Sequence, residues 1–232
     1  MYNPQKAIRG GVPICWPWFG AADASLGDNL PAHGFARTSL WSVKNIKELT
    51  NGVEIELLLK DSEKTHKIWP YQFELTLKAT LTDTLKLQLI SENTGQQPFS
   101  YGAALHTYLN ISSPEACHIT GLNKHYADKL NAGQLCTGET SLQINGPVDA
   151  IYQKSPAAIT LHDSGLKRQL HITNSGNDSE VVWTPWIEGA QALADMPDDG
   201  YQTMICIESA ITNVHGQSLT PGETHTLSTL IS

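Results

Sequence analysis

The sequence predicts an all-β protein assembled as a sandwich of large antiparallel sheets, and three observations carry that prediction. Segments in which apolar and polar residues alternate dominate the chain. Turn-forming residues separate them at short intervals, and no long stretch shows the period of an amphipathic helix. Alternation places one face of a strand in a core and the other in water. Without helices between successive strands there are no βαβ units, so the strands must pair antiparallel.

The elements follow in order. Val53-Glu54-Ile55-Glu56-Leu57, Phe73-Glu74-Leu75-Thr76-Leu77-Lys78 and Leu85-Lys86-Leu87-Gln88-Leu89 each read as a half-exposed strand. Further strands are expected over Tyr101 to Ile111, Ala157 to Leu161, Gln169 to Thr173, Glu180 to Trp183, Met204 to Ala210 and Thr224 to Ile231. Turns fall at Thr94-Gly95, Asn145-Gly146-Pro147 and Pro221-Gly222, and Gly189 to Ala194 is the one place for a short helical turn. The stretch from Ile8 to Gly20 is so dense in Gly, Pro and Trp that it reads as an internal loop, as if the chain began late. There is no internal repeat and no linker composition, so one domain over residues 1–232 is expected.

Charge and cysteine usage exclude several classes of function. The chain carries 15 Lys and Arg against 23 Asp and Glu, a net charge of -8, with no basic run, which argues against a nucleic-acid partner. Cys15, Cys117, Cys136 and Cys206 lie far apart, and neither a signal peptide nor a membrane-length apolar run is present, so reduced thiols, a cytoplasmic location and no membrane contact are expected. The nine histidines show neither HxxxH nor HxH spacing and no Cys–His cluster accompanies them in sequence, so neither a metal nor a cofactor is expected. No GxSxG elbow and no GxxxxGK[ST] loop occurs.

Two strands carry an ionisable residue against the pattern. Alternation puts His106 on the face of Gly102, Ala104 and Tyr108, where small neighbours leave room beside the imidazole, and Glu208 on the face of Met204, Cys206 and Ala210. A carboxyl group in apolar surroundings gains basicity, and an imidazole is its natural acid partner, so the pair suits proton transfer; taken singly, a core histidine or a carboxylate held by a buried Arg is as good a reading. Arg9 and Arg37 lie in Gly-rich apolar loops, where a guanidinium either grips a phosphate with forked bonds or braces loop carbonyls. Trp16, Trp18, Trp183 and Trp186 fall in Pro-rich turns, as core packing or as a stacking surface for a sugar ring.

Six blocks then make the sequence recognisable: Ile8-Arg9-Gly10-Gly11-Val12-Pro13 with Trp16-Pro17-Trp18-Phe19-Gly20, His33-Gly34-Phe35-Ala36-Arg37, Ala104-Leu105-His106-Thr107-Tyr108, Tyr126-Ala127-Asp128-Lys129, Val182-Trp183-Thr184-Pro185-Trp186 and Cys206-Ile207-Glu208. In this order they resemble the glucose-6-phosphate 1-epimerase family, within the aldose 1-epimerase (galactose mutarotase-like) superfamily. The resemblance implies the galactose mutarotase-like supersandwich of two large antiparallel sheets, lacking here the N-terminal strands that the family places ahead of its Arg-Gly-Gly block. It also implies roles: His106 as general acid, Glu208 as general base, Arg9 and Arg37 on the 6-phosphate of a sugar-phosphate substrate, Asp128 on sugar hydroxyls, and His33 at the cleft. Thr184 stands where the family more often has Asn. An aldose 1-epimerase acting on free hexoses, and a carbohydrate-binding protein without catalysis, are the two alternatives to a hexose-6-phosphate mutarotase.

Overall fold

The computed structural model describes residues 7–213 and 215–232, and its secondary structure is mostly strand. The residues cluster into two compact units interleaved along the chain. One runs to Pro13 and takes in His106–Thr173 and Asn177–Ser209; the other takes in Ile14–Leu105, Asn174–Gly176 and Ala210–Ser232.

In the first unit, Gln134–Thr137, His125–Asp128, Val148–Gln153 and Ser179–Thr184 pair antiparallel in that order, and Met204–Ile211 follows with Tyr108–Asn110 on its flank. A second ladder joins Ser141–Gln143, Cys117–Thr120, Ile159–Asp163 and Arg168–Ser175. Every residue of Met204–Ile211 is buried, so this strand is covered on both faces rather than alternating. That is why Glu208 needs a partner inside the protein. The helix Trp186–Ala192 starts three residues before the expected turn, directly after Pro185.

In the second unit, Thr224–Ile231, Leu85–Asn93, Phe73–Leu81, Gly52–Lys60 and Ser42–Leu49 form an antiparallel meander. Leu85–Asn93 alternates in burial as its sequence does, whereas Gly52–Lys60 is partly exposed on both faces, its carboxylates Glu54 and Glu56 pairing with Lys78 at 3.4 and 2.9 Å. The core is aromatic: Trp16 is fully buried, with ring centroids 4.5 Å from Phe73, 4.8 Å from Trp69 and 5.7 Å from Phe35. Trp16 and Trp18 are thus packing residues.

The all-β, antiparallel expectation is met, with one correction. Tyr101 to Ile111 is not one strand but three short ones, Phe99–Tyr101, Ala103–Leu105 and Tyr108–Asn110. The breaks arise because its backbone is shared among several partners: the amide of Gly102 donates to Pro17, His106 to Pro13 and Tyr108 to Gly11. Strands missed by the sequence reading include Ser42–Leu49, an edge strand without strict alternation, and Cys117–Thr120, which alternates but is only four residues long.

Candidate active site

The interruption after Leu105 is what builds the site in the first unit. The loop before Pro13 lies beside residues 106–108 through the His106 to Pro13 bond of 3.1 Å and the Tyr108 to Gly11 bond of 2.9 Å, which carries Arg9 alongside. On the other side, the amide of Ile207 donates to Thr107, and Cys206 is in register with Tyr108. His106, Tyr108, Cys206 and Glu208 therefore share one face, as alternation predicts.

On that face His106 Nε2 lies 3.3 Å from Glu208 Oε1, with the Glu208 side chain 1% exposed and that of His106 12% exposed. The Tyr108 ring stacks on the imidazole at 5.0 Å and 12°, and Trp183 approaches edge-on at 6.1 Å. Beneath them Ala190, Met196, Met204 and Cys206 form a buried apolar layer. The carboxylate that the sequence left open to a buried arginine is thus held by the imidazole.

Arg9 is positioned rather than loose. Its Nε donates to Asp195 Oδ1 at 3.1 Å and its Nη1 to the Tyr108 hydroxyl at 3.3 Å. Burial opposes its charge, but the hydrogen bonds to Asp195 and Tyr108 and the charge of Asp195 outweigh it and raise its pKa. Burial also pushes the Tyr108 hydroxyl up, so it stays protonated and can donate. A cleft of about 380 Å³ opens here, lined by Arg9, Tyr108, Asn110, Asp195 and Met204 among others.

Two further carboxylates belong to the same unit. Asp128 Oδ1 accepts the Leu130 amide at 3.0 Å, which fixes the turn after its strand. Asp149 stands directly opposite Trp183, and burial raises its pKa against the pull of Lys129, with the charge of Asp128 raising it further. Sequence reasoning missed Asp149, although a lone carboxylate in Val148-Asp149-Ala150-Ile151 is a signal of the same kind as Glu208. It missed Asp195 for a better reason: nothing distinguishes that residue from Asp198 and Asp199 along the chain.

His33 and Arg37 lie in the second unit. His33 adopts φ 65, its amide donates to Gly20 O at 2.7 Å, and its Nδ1 accepts the Gly20 amide at 3.2 Å. Burial, and then the Arg37 guanidinium, push its pKa down to about 4, so the ring is neutral and fit to accept. Arg37 Nη2 donates to the Ala32 carbonyl at 2.9 Å, the loop-bracing contact named above. Gly34 between them admits no side chain: at φ +71, a Cβ would lie 1.9 Å from the Trp16 carbonyl oxygen.

The whole chain, residues 1–232, matches the family described as aldose 1-epimerase. The chain belongs to the aldose 1-epimerase family. Within it, a Salmonella typhimurium protein provisionally named glucose-6-phosphate 1-epimerase is 36% identical over 211 residues, covering 90% of this chain and 69% of that protein. A Cenchrus ciliaris protein with the same provisional name is 35% identical over 239 residues, covering 96% of this chain and 69% of its own. The crystal structure of a provisionally assigned mutarotase from Salmonella typhimurium superposes with a TM-score of 0.92 at 31% identity, covering all of this chain and 76% of that one. The supersandwich expectation thus agrees with family and fold alike. Among the described residues no helix is long and apolar enough to cross a membrane.

Proposed function

We propose that this member of the family is a hexose-6-phosphate mutarotase, a cytoplasmic enzyme that interconverts the α and β anomers of its substrate by ring opening and closure. One observation carries the reading: a buried carboxylate and an imidazole 3.3 Å apart, next to an arginine clamped by Asp195 and Tyr108.

Opening a pyranose removes a proton from O1 and delivers one to O5. Both oxygens are bonded to C1, so the acid and the base must be neighbours, as His106 and Glu208 are. Glu208 takes the O1 proton while protonated His106 donates to O5. Rotation about C1–C2 then exposes the other aldehyde face, and the same transfers in reverse close the ring. Protons are conserved over the cycle and nothing is oxidised, so these two residues account for the chemistry without a cofactor.

Arg9 binds the phosphate. A guanidinium has five N–H donors, and two are committed to Asp195 and Tyr108, which leaves a fork for a dianion at a fixed orientation. Asp128 and Asp149 are assigned to sugar hydroxyls; in the second unit His33 shapes the loop that carries Arg37, a residue that keeps the phosphate-binding role implied by the family resemblance. The provisional names of the Salmonella and Cenchrus relatives support a phosphorylated substrate over a free hexose. Anomer-resolved NMR exchange tests the reading. Added protein should accelerate exchange of glucose 6-phosphate far more than that of glucose, and equal acceleration of both would assign the activity to free aldoses.

A further inference from the structure

The face that carries the acid and the base carries a third ligating group. Cys206 and Glu208 are two residues apart on the fully buried strand Met204–Ile211, so both side chains point to the same side. One ligand atom from each of His106, Cys206 and Glu208 lies within 4.8 Å of the other two. No spacing rule finds this group, because His106 comes from a segment about a hundred residues earlier and only strand pairing brings it in.

We infer that His106, Cys206 and Glu208 form a binding site for a thiophilic divalent cation of the zinc class, and that the cation inhibits the enzyme by occupying its acid and base. In a tetrahedral site, bonds of about 2.1 Å to nitrogen and oxygen set those two atoms about 3.4 Å apart, and a sulfur at about 2.3 Å lies about 3.6 Å from either. The His106 to Glu208 distance of 3.3 Å already has that bite. The thiol closes the set by moving about 1.2 Å or less from the grouping observed. A cysteine, a histidine and a carboxylate match the donor preference of zinc, and three protein ligands leave the fourth position to water on the partly exposed His106 side.

Charge supports the same cation. Cys206 is fully buried and Glu208 is 1% exposed, so a charged occupant needs full compensation. On binding, Cys206 and protonated His106 each release a proton to solvent, and thiolate plus carboxylate cancel the double positive charge, with His106 neutral. The nitrogen that would donate to O5 and the carboxylate that would accept from O1 are then both metal ligands. The inhibitory half of this inference rests on the roles given to His106 and Glu208 above, while the binding half does not.

The probe is Co²⁺ added to the full chain after chelation and dialysis. The site should give a thiolate-to-cobalt charge-transfer band and four-coordinate visible bands at one equivalent, and Zn²⁺ should displace them. Cys206→Ala should abolish the charge-transfer band, whereas Cys136→Ser should leave it intact. Measured against its own metal-free rate, Cys206→Ala should need at least about tenfold more Zn²⁺ for half-inhibition than the parent protein. If Cys206→Ala fails to fold, Cys206→Ser, which keeps the size of the side chain and removes the thiolate, gives the same spectroscopic test. Absence of a thiolate band in the parent, or its survival in Cys206→Ala, overturns the site. A cobalt spectrum from this site with Zn²⁺ leaving the rate unchanged would uphold the site and overturn instead the inhibition and the acid–base roles beneath it.

Discussion

Replacing Arg9 with Ala separates phosphate recognition from chemistry. With two of its five N–H donors engaged by Asp195 and Tyr108, Arg9 can present two to a phosphate dianion as a fork. Hydrogen bonds to charged groups contribute about 1.5–3 kcal/mol each, and the two bonds of one fork are not fully additive, so removing the fork should cost about 2–4 kcal/mol of binding. That corresponds to a rise of roughly thirty- to several-hundred-fold in KM for glucose 6-phosphate. The rate at saturation should fall less, since neither Glu208 nor His106 bonds to Arg9; the effect passes only through Tyr108, whose ring stacks on the imidazole. Exchange of glucose catalysed at high protein concentration provides the control and should be nearly unaffected. Arg9→Lys keeps the charge but not the fork, and should fall between the two. Equal losses on glucose and glucose 6-phosphate would refute the assignment and make Arg9 a brace for Tyr108.

Three further predictions test the supporting structure. Because His33 has a depressed pKa, about 4 against 6.5 unfolded, the stability it contributes is complete above pH 6.5 and is lost as the pH falls toward 4, by at most about 3 kcal/mol and less for the screening of a partly exposed ring. His33→Asn, which tolerates the positive φ, should flatten this decline in denaturant titrations at pH 7 and 4.5, and identical profiles would exclude His33 as its source. Gly34→Ala should destabilise by at least about 2–3 kcal/mol through backbone clash and a strained φ, and an unchanged melting temperature would contradict the Trp16 contact. Asp149→Asn should raise KM about tenfold for glucose 6-phosphate and glucose alike, through a lost charged hydrogen bond, and an effect on the phosphorylated sugar alone would move Asp149 to the phosphate.

The strand pattern was legible where one face meets a core, as in Leu85–Asn93, because alternation records that asymmetry directly. It was less so for Tyr101 to Ile111, whose breaks are set by hydrogen bonds to Pro13, Pro17 and Gly11 that no local pattern encodes. His106 and Glu208 stood out because an ionisable residue on an apolar face has a cost that must be met. Their encounter at 3.3 Å depends on pairing between segments far apart in sequence, and so does the presence of Cys206 beside them. Asp195 was illegible because an aspartate in a turn is ordinary until its arginine is located. Arg37 shows the limit of loop context: the sequence left it between a phosphate and a loop carbonyl, and the structure shows its bond to the Ala32 carbonyl.

The most direct test of the central claim is the anomer exchange rate of glucose 6-phosphate with Glu208→Gln, which preserves the shape of a side chain 1% exposed while removing the base. Folded, substrate-binding Glu208→Gln should show a rate reduced by about 10²–10⁴, close to the spontaneous background. A rate within a few-fold of the parent protein would contradict proton transfer by Glu208.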